Sequence, residues 1–172
     1  MSQLATHSLP KEKLHQIKCL VLDFDGVMST NSVFVHQDGS ELVECSRSDG
    51  MGISLLKKIG ITVFVLSKEK NPVVSARCKK LQIDAFQGID EKLFFLKNYL
   101  MQNAIDFSEV AFIGNDINDL ECLNFVALPM IVADAHESVV GHGFHQTKKM
   151  GGRGAVREVC DLIIQARQYA HE

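Results

Sequence analysis

Short apolar runs alternate along the chain with longer stretches in which apolar positions return every three or four residues. This rhythm predicts strands joined by amphipathic helices, an α/β chain. The runs "CLVLDF" (residues 19–24), "ITVFVL" (61–66) and "VAFI" (110–113) are apolar almost without interruption. Such strands suit a parallel sheet covered on both faces. "IDAFQ" (83–87) predicts a shorter strand and "PMIVA" (129–133) a last core strand. Between them, helical spacing predicts a helix over residues 50–59, with Ile53, Leu56 and Ile59 on one face, Asp49 as its cap and Gly60 as its stop. Asn71 and Pro72 open a helix running to about residue 80. A third helix covers residues 90–103, with Leu93, Leu96 and Leu100 facing the core; another starts in "NDLECLNFV". The last covers 154–169, with Val156, Val159, Cys160 and Ile163 as its stripe.

One segment breaks the rhythm. Residues 32–46 read as two short strands around Asp38-Gly39, a turn signal. A hairpin directly after the first strand is expected to project as a flap. With 172 residues and no repeat or low-complexity linker, a single domain spanning residues 1–172 is expected. The net charge of −3 gives no basic field for nucleic acid or anionic lipid. No apolar run approaches the ~20 residues that span a bilayer, and the first residues lack a signal-peptide pattern. The five cysteines are scattered, odd in number and without a C-x-x-C pair. A reducing, cytoplasmic setting is the expectation.

The chemistry gathers where strands end. Asp23 and Asp25 close the first run, and side chains at i and i+2 share a face. Ser67 follows the "VFVL" strand, and Lys92 stands in "GIDEK" after "DAFQ". "GNDIND" after "VAFI" supplies Asn115, Asp116, Asn118 and Asp119. Singly these are turn and cap residues. Together they fall at one edge of the inferred sheet, where α/β folds bind ligands. Clustered carboxylates repel unless a cation sits among them. A few oxygen ligands completed by water and phosphate suit Mg²⁺, and Ser and Lys donate to phosphoryl oxygens. A nucleophile, a metal and fixed positive charge are the inventory that phosphate-monoester hydrolysis needs.

In that order, "DFDGV", Ser67, Lys92 and "GNDIND" resemble the four motifs of the haloacid dehalogenase (HAD) superfamily of phosphatases. "NPVVSARCKKLQI" (71–83) and "GGRGAVREVCDLI" (151–163) are similar to its small capless branch. That branch holds 3-deoxy-D-manno-octulosonate 8-phosphate phosphatases and the phosphatase-like C-terminal domains of acylneuraminate cytidylyltransferases. The resemblance implies a three-layer Rossmann-like sheet with a flap and no large cap. It implies that Asp23 is the nucleophile and that Asp25 is the acid and base, with its carbonyl on Mg²⁺. Ser67 and Lys92 would hold the phosphoryl group. The fourth motif would complete the metal site through Asn115, where many members have Asp, or through the adjacent Asp116, with Asn118 and Asp119 behind them.

The resemblance also implies a homotetramer assembled through the flaps and a small-molecule sugar phosphate as substrate. Arg153 and Arg157 would reach the substrate carboxylate, in trans if the C-terminal segment closes a neighbour's site. Octulosonate phosphatases often carry a basic residue where Ser48 stands, which tilts the expected substrate toward a nine-carbon ulosonate phosphate. Val33, Val35 and Leu42 give the flap apolar surface for assembly. The alternative reading is a non-catalytic assembly or regulatory domain of the cytidylyltransferase type. Retention of both Asp23 and Asp25 argues for catalysis instead.

Overall fold

The structure, a computed structural model, describes residues 9–168. Its centre is a six-stranded parallel sheet. In chain order the strands are β1 (Cys19–Leu22), β4 (Thr62–Leu66), β5 (Asp84–Phe86), β6 (Val110–Gly114), β7 (Leu128–Ile131) and β8 (His145–Gln146). Across the sheet they run β5-β4-β1-β6-β7-β8. The two remaining strands, β2 (Ser29–Val35) and β3 (Glu41–Cys45), form a separate antiparallel hairpin. The helices are α1 (Lys11–Gln16), α2 (Arg47–Lys58), α3 (Val73–Leu81), α4 (Lys92–Gln102), α5 (Leu120–Phe125) and α6 (Ala155–Gln168).

The strand runs are apolar throughout because both faces are covered. In β1, Leu20 and Leu22 pack with Leu14 of α1, Ile53 and Leu56 of α2, Val74 of α3 and Val156 of α6. Cys19 and Val21 point the other way, to Leu96 and Leu100 of α4 and Cys122 and Leu123 of α5. This is the three-layer arrangement. β1 lies between β4 and β6, with Leu22 opposite both Val65 and Ile113. The chain leaves β1 in one direction across the sheet and returns to its other side at β6, so the crevice between these strand ends is the natural ligand position.

Several expectations need correction. The helix expected at 50–59 begins at Arg47, and its cap is Ser46, whose hydroxyl accepts from Ser48 N at 3.2 Å. Asp49 is buried and faces α6 instead. Asn71 does accept from Val73 N, at 3.0 Å, where α3 opens. The hairpin starts at Ser29, earlier than residue 32. β7 is not the last strand, since the two-residue β8 pairs beside it. Tyr169, the expected end of the last helix, lies outside the described residues, as does the start of the chain through residue 8.

Helix α2 carries Gly52 where a better helix former would cost less. A Cβ there would lie 2.9 Å from Arg157 Cδ and 3.0 Å from Cys160 Cβ, so the glycine permits close approach to α6. The flap leaves apolar surface in solvent. Phe34, Val35 and Leu42 are each about two-thirds exposed and Val33 about half. All five cysteines are free. Burial pushes the Cys78 thiol up to about 11 and those of Cys19 and Cys122 to about 12, and raises Cys45 and Cys160 as well. Among the described residues no helix is long and apolar enough to cross a membrane.

Candidate active site

Asp23 is the first residue beyond β1, held by its N–H donating to the Ile113 carbonyl at 3.0 Å. Asp23 as a residue is 3% exposed. Lys92, the first residue of α4, turns inward and is equally buried. Its ammonium donates at 2.7 Å to Asp23 Oδ1 and at 2.7 Å to Asp119 Oδ1. Asp119 is fully buried, and its other oxygen accepts from Asn115 N at 2.9 Å and from Asp116 N at 3.4 Å. One carboxylate thus anchors both the lysine and the turn after β6.

Burial is the main cause that raises the Asp23 carboxyl above the usual range; Asp119 adds to it and Lys92 opposes it. Burial pulls the Lys92 ammonium down, but Asp23 and Asp119 together leave it above its ordinary value. Asp25 is half-buried and also raised, by burial first and then by Glu69, with Lys92 opposing and Glu41 adding. An acid at this position keeps its proton to higher pH than a free aspartate.

The Asn115 amide is 3.1 Å from the Asp25 main-chain oxygen and 3.2 Å from Asp23 Oδ2. With its nitrogen turned inward it donates to both. With its oxygen turned inward three oxygens converge, an arrangement that a cation among them would stabilise. An octahedral Mg²⁺ with bonds of about 2.1 Å sets adjacent ligand oxygens about 3.0 Å apart, close to these separations. The residues therefore fit a divalent cation. The donor set is mixed, one carboxylate, one amide and one main-chain carbonyl; among the described residues no three His, Cys, Asp or Glu side chains form a metal cluster.

Asp116 does not join this set. Its Oδ1 caps the turn by accepting from Ile117 N at 2.6 Å and also accepts from the Ser138 hydroxyl at 3.3 Å. Its Oδ1 is engaged as a turn cap, which leaves Asn115 as the better placed of the two candidate ligands. Asn118 is half-buried and makes no hydrogen bond to the cluster. Ser67, beyond β4, is buried, with its Oγ accepting from Glu69 N at 3.1 Å. Arg153 is exposed and pairs with Glu44 of the flap at 3.1 Å. Arg157 pairs with Asp161 through Nε at 2.8 Å. Neither arginine reaches the acidic cluster of its own chain.

No family model matches the chain. The 3-deoxy-D-manno-octulosonate 8-phosphate phosphatase KdsC of Escherichia coli strain K12 is 36% identical over 156 residues, covering 90% of this chain and 83% of that one. The chain belongs to the octulosonate-phosphate phosphatase family of the HAD superfamily. A solved family member is the 3-deoxy-D-manno-octulosonate 8-phosphate phosphatase of Moraxella catarrhalis, in complex with magnesium ion, phosphate ion and KDO. It superposes with a TM-score of 0.88 at 32% identity, over 92% of this chain and 91% of that one. The cobalt-bound deoxy-D-mannose-octulosonate 8-phosphate phosphatase of Haemophilus influenzae gives a TM-score of 0.86 at 32% identity, over 91% and 92%. Like these relatives, the chain is a phosphatase.

Sequence reading of this HAD chain missed residues that frame the site. Glu69 and Glu41 sit near enough to Asp25 to raise it, and Asn71 ties Glu41 of the flap to the loop after β4 at 2.9 Å. Asp134, beyond β7, accepts from Gly151 N at 2.9 Å. Its signal was available, because it is a carboxylate just past a core strand like those already singled out. The Gly151-Gly152 turn does more than lead into α6. A Cβ on Gly151 would fall 1.7 Å from the Gly26 carbonyl oxygen, and Gly152 N donates to Val27 O at 2.9 Å. The turn packs directly on the loop that carries Asp25.

Proposed function

We propose that the chain is a Mg²⁺-dependent phosphomonoesterase acting on a phosphorylated 2-keto-3-deoxy sugar acid through an aspartyl-phosphate on Asp23. The observation that carries this reading is the convergence of Asp23 Oδ2, the Asp25 carbonyl and the Asn115 amide beside buried Lys92. The names of the relatives move the preferred substrate from a nine-carbon ulosonate phosphate to octulosonate 8-phosphate.

Asp23, Asn115 and the Asp25 carbonyl would hold the cation, which supplies charge neutralisation to the phosphoryl oxygens. Ser67 donates its hydroxyl to those oxygens, and Lys92 adds a fixed positive charge beside the nucleophile. The Asp23 carboxylate attacks phosphorus, and an acyl-phosphate bond forms as the bond from phosphorus to the sugar oxygen breaks. Asp25, protonated at the start, gives its proton to that departing oxygen. As carboxylate it then takes a proton from water, which attacks phosphorus and releases orthophosphate, restoring Asp23. Burial raises Asp25 above a free aspartate, the direction that suits a general acid. Exposed Val33, Phe34, Val35 and Leu42 favour assembly of flaps into a homotetramer, which would carry Arg153 toward a neighbour's substrate.

The test is a screen of octulosonate 8-phosphate, nonulosonate 9-phosphates and hexose phosphates with Mg²⁺ and with EDTA. Octulosonate 8-phosphate should be preferred and EDTA should abolish turnover. Asp23→Asn should be folded and inactive. Turnover by Asp23→Asn would exclude the covalent route.

A further inference from the structure

Asp49 is a buried carboxylate that the chemistry above does not use. It lies in the first turn of α2, 1% exposed, yet its Oδ1 accepts from the main-chain N–H of Arg157 in α6 at 2.8 Å. Burial raises this carboxyl to about 6, and the N–H groups of Arg157 and Gly154 oppose that rise. The Arg157 side chain does not take part, because it turns away to Asp161. Around Asp49 stand Arg77 of α3, Arg157 and Cys160 of α6, and Cys45 of β3. A carboxylate in the first turn of α2 therefore meets the N-terminus of α6, where the backbone offers free N–H groups and a positive dipole end.

What lies just ahead of α6 gives this contact its reach. Gly151 and Gly152 press on the loop after β1 so closely that a Cβ on either would overlap main-chain atoms of Gly26 or Thr30. Gly152 N is bonded to Val27 O. The path from Asp49 runs through residues 154–157 to the glycine turn and on to Gly26, the neighbour of Asp25. Nearly every link is main chain, so little side-chain freedom intervenes. A shift of the start of α6 moves the turn, and the turn cannot move without moving the Asp25 carbonyl.

We propose that Asp49 is a positioning residue for phosphoryl transfer: by fixing the start of α6 it holds the Gly151-Gly152 turn against the catalytic loop, and so sets the Asp25 carbonyl for the cation. The role rests on the phosphatase reading above, and its test includes a measurement that needs no activity.

Full-length Asp49→Ala and Asp49→Asn are compared with Ile53→Val, which trims the same helix in the core without touching the carboxylate. Hydrogen–deuterium exchange is followed segment by segment. In Asp49→Ala, amides of residues 26–30 and 151–157 should exchange at least tenfold faster, with β1 and β6 unchanged. Asp49→Asn keeps the shape without the charge and should show the same pattern more weakly; it decides the matter if the alanine variant does not fold. In steady-state assays the Mg²⁺ concentration for half-activation should rise at least tenfold in the Asp49 variants, while KM for octulosonate 8-phosphate changes less than threefold. Ile53→Val should lower the melting temperature and leave both readouts at the wild-type value. Faster exchange confined to residues 154–158 would overturn the proposal, as would an unaltered Mg²⁺ requirement, or an Ile53→Val that reproduces both effects. If the wild type hydrolyses no phosphate ester, the phosphatase reading falls, and exchange at residues 26–30 still decides whether Asp49 governs the loop.

Discussion

Replacing Lys92 by Met keeps the length of the side chain and removes its charge. The ammonium is 2% exposed and bridges Asp23 and Asp119, themselves 5% and 0% exposed. Removing one partner of such a buried ionic group costs ~3–5 kcal/mol, because the remaining charges are left unpaired. At this chain length each kcal/mol is worth about 2–4 °C in melting temperature, so a fall of roughly 6–20 °C is expected. The pH dependence is informative. Lys92 is raised in the folded state, so its contribution is complete below its ordinary value near ~10.4 and is lost only at higher pH. Between pH 5.5 and 8 it is therefore constant in the wild type. Asp23 is raised, so the folded chain holds its proton more tightly than the unfolded chain, and stability falls as pH climbs from the ordinary aspartate value toward the raised one. Without Lys92 that rise grows, and each additional proton held by the folded state costs about 1.4 kcal/mol per pH unit across the widened window. Thermal melts by circular dichroism in EDTA should show a larger deficit at pH 8 than at pH 5.5. Equal deficits at the two values, or wild-type stability at pH 8, would refute the electrostatic account of this triad.

Asn115→Ala should weaken Mg²⁺ binding in calorimetry at least tenfold, whereas Asp116→Ala should lower the melting temperature slightly and leave Mg²⁺ affinity near the wild-type value; the reverse order would return the ligand role to Asp116. Gly151→Ala forces a methyl into a main-chain oxygen, and overpacking of this kind costs ~1–3 kcal/mol, so both stability and turnover should drop; a wild-type melting curve would contradict the close contact. Phe34→Glu with Leu42→Glu should convert a sedimenting tetramer to smaller species, and a wild-type chain that is already monomeric at micromolar concentration would end the assembly proposal. Mixing Asp23→Asn with Arg153→Ala after subunit exchange should restore partial activity if Arg153 acts in trans; no recovery after demonstrated exchange would assign Arg153 to its own subunit or to no chemical role.

The central sheet was legible because doubly covered strands have an unmistakable pattern: Leu20 and Leu22 serve one core, Cys19 and Val21 the other, and no polar residue interrupts. α1 was not legible, since six residues with Leu14 as the buried one carry no period. β8 is His145-Gln146, two polar residues made a strand by their neighbour β7. The start of α2 was misplaced at Asp49, because Ser46, the actual cap, belongs to the same capping class. What decided it is tertiary, because α6 draws Asp49 away. The strand-end residues of the site could be named from sequence, but not their division of labour. Asn115 and Asp116 are adjacent, and the chain direction leaving β6 sends their side chains to different places. That a lysine in a helix's first turn would be buried between two carboxylates has no local signature either.

The cysteines have a practical consequence. The thiolate is the reactive form of cysteine, and at pH 8 a thiol held near about 11 or 12 carries several hundred to several thousand times less of it than a free thiol near ~8.5. Four of the five are also buried behind the sheet and helices. In the native chain they are chemically silent; once the fold opens, they become ordinary thiols. Alkylation at Cys19, Cys78, Cys122 and Cys160 thus clocks opening events, Cys122 for the α4–α5 side of the sheet and Cys160 for the α2–α6 side, with no label to introduce.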